Sequence, residues 1–112
     1  MQTHAIADTV TIRITANDRG NPAGKLADVE LHFAGDSVFA GLKLIGFSIW
    51  ERRGSGGGRN VTFPARQYSL NGERRSYSLL RPINDPNAQA SVRDRILEAY
   101  SQHEEAAEEA AS

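Results

Sequence analysis

The side chains best equipped for chemistry in this sequence are arginines. Between Glu51 and Arg81 there are seven of them (Arg52, Arg53, Arg59, Arg66, Arg74, Arg75 and Arg81), against two acids, Glu51 and Glu73, and no lysine. A planar guanidinium binds phosphate or carboxylate through two parallel hydrogen bonds, which an ammonium cannot do. This choice of base therefore points toward anion recognition, although a solvated face would carry the same charges. The last nine residues hold Glu104, Glu105, Glu108 and Glu109 and no base, so the formal net charge of −1 hides a basic middle and an acidic end.

Other chemistries find little support. No cysteine is present, which excludes disulfides and thiolate zinc sites and suits a reducing cytoplasm. His4, His32 and His103 have no metal-ligand spacing, and no metal site is expected. There is no Gly-x-Ser-x-Gly elbow, and carboxylates are plentiful only in the tail, so neither an enzyme nor a cofactor or small-molecule substrate is expected. Arg52-Arg53-Gly54-Ser55-Gly56-Gly57-Gly58-Arg59 is glycine-rich, but it lacks the Gly-Lys-Ser/Thr ending and following helix of a phosphate loop. It reads better as a hairpin tip with basic flanks. No apolar run is long enough to span a membrane. The start, Met1-Gln2-Thr3-His4, shows neither the basic nor the apolar region of a signal peptide.

The elements that must position the arginines follow from apolar periodicity. Val10, Ile12 and Ile14 alternate with polar residues, as do Ala27, Val29, Leu31 and Phe33, and each set predicts a half-buried strand. From Phe39 to Trp50 the alternation changes phase at Gly46, which predicts a bulge. Both faces of that strand are candidates for cover, and Trp50 suits core or rim. Val61 and Phe63 form a further strand that Pro64 ends. Asn71-Gly72 is a strong hairpin-turn signal, with Arg75 to Leu80 pairing back. Val92, Ile96, Leu97 and Tyr100 recur at helical spacing. Two starts compete for that helix: Ser91 with Asp94 as a capping box, or Asp85 followed by Pro86. The expected fold is α+β: a small antiparallel, meander-like sheet of about five strands with one C-terminal α-helix. Residues 1–103 form one domain, and 104–112 form an acidic Ala/Glu tail, either a helix extension or disordered.

From Phe63 onward the sequence resembles the SpoVG family of bacterial sporulation and septation regulators. The resemblance rests on Phe63-Pro64-Ala65-Arg66, Leu70-Asn71-Gly72-Glu73-Arg74-Arg75, Arg81-Pro82-Ile83-Asn84 and the helix Val92 to Tyr100, in that order. It extends over residues 9 to 101 and is specific in the final third. It implies a cytoplasmic homodimer that binds DNA, and in some members RNA. The family's basic segment after the proline maps onto Arg66, with Gln67 and Tyr68 beside it and Arg74 and Arg75 across the turn. Arg52, Arg53 and Arg59 complete the candidate nucleic-acid-binding set. Tyr68 and Tyr77 either stack on unpaired bases or pack against the sheet. The sequence departs from the family where Gln67 follows Arg66 in place of a second base, in the insertion from Arg52 to Asn60, and in the acidic tail, which could compete with phosphate for the arginines. The alternative function is a protein-interaction or assembly module that binds no nucleic acid.

Overall fold

A computed structural model describes residues 9–52 and 57–111. Four strands, β1 (Val10–Ala16), β2 (Lys25–Phe33), β3 (Lys43–Glu51) and β4 (Arg59–Thr62), form one antiparallel sheet in the order β1-β2-β3-β4. Strands β5 (Ala65–Leu70) and β6 (Glu73–Ser78) form a separate two-stranded sheet, and α1 (Ala88–Ala111) closes the chain. The antiparallel strands and C-terminal helix agree with the expected α+β class. The division into four strands and two is new information, because the strand pattern alone does not say which neighbours pair.

The core lies between the four-stranded sheet and α1. Ala27, Val29 and Leu31 of β2, Phe47 and Ile49 of β3, Val61 of β4, and Ile96 and Tyr100 of α1 are buried together. In α1 the inward stripe recurs every four residues, from Val92 through Ile96 to Tyr100, and the helix lies against β1 and β4. Each fully buried side chain of the Phe47 or Ile96 kind contributes about 1.5–3 kcal/mol. The opposite face of the sheet is mainly polar, with Trp50 among its few apolar residues and its Nε1–H donating to Thr62 Oγ1 at 2.9 Å. There Glu30 accepts a hydrogen bond from His32 at 2.9 Å and pairs with Lys43 at 3.3 Å, which together hold its carboxyl below the usual carboxylate range.

The phase change at Gly46 is a bulge. Val29 pairs with Phe47 and Leu31 with Leu44, so two steps on β2 oppose three on β3. The bulge leaves Ile45 exposed, so the apolar block does not continue in one phase, and residues 39–42 form a turn ahead of β3. Gly46 has φ +109°, and a Cβ there would lie 2.8 Å from Cβ of Pro64. Glycine is thus what lets the buried Pro64 sit against β3, and Pro64 is where the chain leaves the body for β5. The base of β5–β6 is closed by the Leu79 N–H, which donates to the Pro64 carbonyl at 2.9 Å. Gln89 of α1 then donates to the Leu80 carbonyl at 2.7 Å, tying the returning chain to the helix.

α1 begins at Ala88 and Pro86 lies in the turn ahead of it, so of the two starts the structure is nearer the one at Asp85. Its Oδ1 accepts the Asn87 N–H at 2.9 Å and its carbonyl accepts the Ala88 N–H at 3.0 Å. Ser91 lies inside the helix instead, with Oγ donating to the Asn87 carbonyl at 3.4 Å. The acidic tail extends the helix to Ala111. No helix among the described residues is long and apolar enough to cross a membrane.

Candidate functional site

The hairpin β5–β6 is built by its turn. Asn71 (φ +53°) and Gly72 (φ +81°) adopt the left-handed pair that a two-residue type I′ turn requires. That turn fixes the register, which places Arg66 opposite Tyr77, Tyr68 opposite Arg75, and Leu70 opposite Glu73. Side chains alternate across a strand, so these six residues share one face. The other face carries Ala65, Gln67, Ser69, Arg74, Ser76 and Ser78. Every residue of β5, and β6 as far as Tyr77, is exposed.

On the first face, arginine and tyrosine alternate both along and across the strands. The Tyr68 and Tyr77 rings meet edge to face, with centroids 5.6 Å apart. They remain 41% and 39% exposed, which a core aromatic would not be. Arg66, Tyr68, Tyr77 and Arg81 line one shallow groove of about 510 Å³. Among the described residues no carboxylate pairs with Arg66 or Arg81. Arg75 pairs with Glu73 at 2.8 Å, but both side chains are more than half exposed, so the pair is weak.

The other candidate arginines do not join this group. Arg74 and Gln67 lie on the opposite hairpin face, because neighbours in a strand point apart. Arg59 lies on β4, where its guanidinium grips Glu104 of α1: Nη1 is 2.7 Å from Oε1, and Nη2 donates to Oε2 at 2.9 Å. The same guanidinium sits 4.8 Å from the centroid of the Tyr100 ring. Arg59 therefore clasps the helix to the sheet. Burial pushes the Tyr100 hydroxyl above its ordinary pKa, the Glu104 charge adds to this, and Arg59 opposes it. Arg52 is exposed just beyond β3, with its N–H donating to the Gly58 carbonyl at 2.9 Å. Arg53 and the glycine-rich stretch as far as Gly56 lie outside the described residues, as does His4. Among the described residues no cluster of histidine and acidic side chains could hold a metal ion.

Arg81 is the site residue that sequence reasoning did not single out. It lies three residues beyond the end of β6 in a proline-containing connector, where strand periodicity gives no direction for its side chain. No family model, curated protein or solved structure matches the chain.

Proposed function

We propose that this is a small nucleic-acid-binding regulatory protein of the SpoVG type, a cytoplasmic homodimer that engages phosphates through the arginine–tyrosine face of β5–β6. The observation that carries this reading is the groove of Arg66, Tyr68, Tyr77 and Arg81, in which two guanidiniums face solvent with no carboxylate partner among the described residues. Guanidiniums with no acidic neighbour remain available to an incoming phosphate and release its condensed counterions on binding. Such phosphate interactions position the ligand without specifying its sequence. The reading is of a binding protein and not an enzyme.

A homodimer is supported by what the hairpin leaves uncovered. A two-stranded ribbon alone is marginally stable, and Leu79 and Ile83, in the chain that leaves its base, are 57% and 97% exposed. A second copy would cover such surface and duplicate the arginines along one ligand. A second reading, a protein-interaction module, draws on a different patch: Val38, Phe39 and Leu42, all exposed in the connection between β2 and β3.

The test is fluorescence anisotropy with single-stranded DNA, duplex DNA and RNA at about 50 and 200 mM salt. We expect binding that weakens steeply with salt. Arg66→Ala with Arg81→Ala should flatten the salt slope by about one for each phosphate that is no longer neutralised. Arg13→Ala, on the polar face of the main sheet, should change nothing. Absence of salt-dependent binding to all three ligands overturns the reading. A protein partner that survives the double substitution and is lost on Phe39→Ser favours the second one.

A further inference from the structure

From the placement of the tyrosines, and resting on the nucleic-acid reading above, we infer that the β5–β6 face is a stacking site for unpaired bases. The ligand class is then single-stranded nucleic acid rather than duplex. A tyrosine in the core hides nearly all of its area, as Tyr100 does at 7% exposed, whereas Tyr68 and Tyr77 keep about two-fifths of theirs open. They lie on a two-stranded ribbon whose residues are exposed from Ala65 to Tyr77. Among the described residues, the aromatic ring each of them meets is the other's, at 60° between planes. That angle keeps the rings from covering one another face to face, so a flat base can lie on a ring.

The flanking charges fit the same ligand. Arg66 stands opposite Tyr77 and Arg75 opposite Tyr68, and Arg81 completes the groove with Arg66 and the two rings. Each ring thus has a guanidinium as its cross-strand neighbour, which is the arrangement a strand needs when its bases and phosphates must be met side by side. Stacking of this kind tolerates any base, because every base has a π-face, while the arginines hold the backbone. A duplex offers the ribbon phosphates and base edges, but its base faces are already stacked. Against a duplex the two rings find no open base face, and only their hydroxyls have a use there, as donors to phosphate.

The experiment compares four ligands of equal length on the full chain: a DNA strand, the same strand with every base removed, the corresponding duplex, and poly-glutamate. Wild-type protein is expected to bind the base-bearing strand about tenfold or more tightly than the abasic strand, which has the same phosphates. It should also bind that strand more tightly than the duplex. Tyr68→Leu with Tyr77→Leu should bring the base-bearing and abasic strands to equal affinity and leave the salt slope unchanged. Tyr68→Phe with Tyr77→Phe should retain the preference within about twofold, since the ring does the stacking.

Equal affinity of wild-type protein for the base-bearing and abasic strands overturns the stacking site and leaves the nucleic-acid reading intact. So does tighter binding of the duplex. Failure to bind any strand or duplex overturns both, and retention of poly-glutamate alone redirects the surface to an acidic protein partner. Should the leucine pair fail to fold, the wild-type comparison of base-bearing with abasic strand decides by itself.

Discussion

Arginine meets tyrosine in two regions of this protein, and the two meetings differ in what surrounds them. In the body, Arg59 lies over Tyr100, and Glu104 from the next helical turn takes both of its forward N–H groups. In the hairpin, Arg66 and Arg81 flank Tyr68 and Tyr77 with no carboxylate paired to either among the described residues. Tyr100 is 7% exposed and belongs to the core, whereas the hairpin tyrosines rest on no buried layer. One extra carboxylate and a packed layer beneath turn the same pair of residue types into a fastening. Without them the pair stays open to a ligand. Residue identity alone does not decide which role such a pair is free to take; the presence or absence of an internal partner does.

The largest expected effect tests whether stability and recognition are separated in this way. Phe47→Ala removes a ring that is 1% exposed and packs edge-on against Phe63, with centroids 5.2 Å apart. It should cost about 3–5 kcal/mol of unfolding free energy in urea titration. Tyr77→Leu should change stability by less than about 1 kcal/mol. If the two lower the midpoint equally, the hairpin belongs to the core and the contrast fails.

A smaller effect is expected where the two regions join. Gly46→Ala must accommodate both φ +109° and a Cβ 2.8 Å from Cβ of Pro64. It should cost about 1–3 kcal/mol. Because Pro64 is the root of β5, the substitution should also broaden or shift the amide resonances of β5–β6, as Ile96→Val in the core should not. Unchanged hairpin resonances would mean that Gly46 serves the bulge alone and does not aim the hairpin.

Much of this was legible in the residues, and the reasons for the rest are physical. The alternation of Val10 to Ile14 and of Ala27 to Phe33 reports burial on one face directly, so β1 and β2 could be read. A glycine at a phase change marked the bulge, and Asn71-Gly72 marked the hairpin turn. The face shared by Arg66, Tyr68, Arg75 and Tyr77 follows from period two once that turn is known, as does the exile of Arg74. The exposure of the tyrosines was not legible, because a strand with aromatics in one phase looks the same whether or not something lies over it. The Arg59–Glu104 pairing was not legible either: it joins residues 45 apart in the chain and depends on where α1 crosses β4.

The smallest expected effect concerns the clasp, and it reports on the tail. Arg59 and Glu104 are each about one-third exposed, so solvent screens the pair, and Glu104→Gln should cost no more than about 1 kcal/mol near neutral pH. Its more telling consequence is at high pH. Burial, and then Glu104, raise the Tyr100 pKa above its ordinary value near 10. The folded state therefore keeps a proton that the unfolded chain has already released, so stability falls as pH rises from about 10 toward the higher folded value. Urea midpoints across that window should drop for the wild type, drop less for Glu104→Gln, and lose this component in Tyr100→Phe. An unchanged drop in Tyr100→Phe would assign the alkaline loss to other groups. Oligonucleotide binding by Glu104→Gln, measured at neutral pH, then separates a fastening from a restraint. Unaltered affinity means that Arg59 serves only to hold the helix down. Tighter binding means that Glu104 has been withholding a guanidinium from phosphate, so that the pair in the body is held closed by an internal competitor.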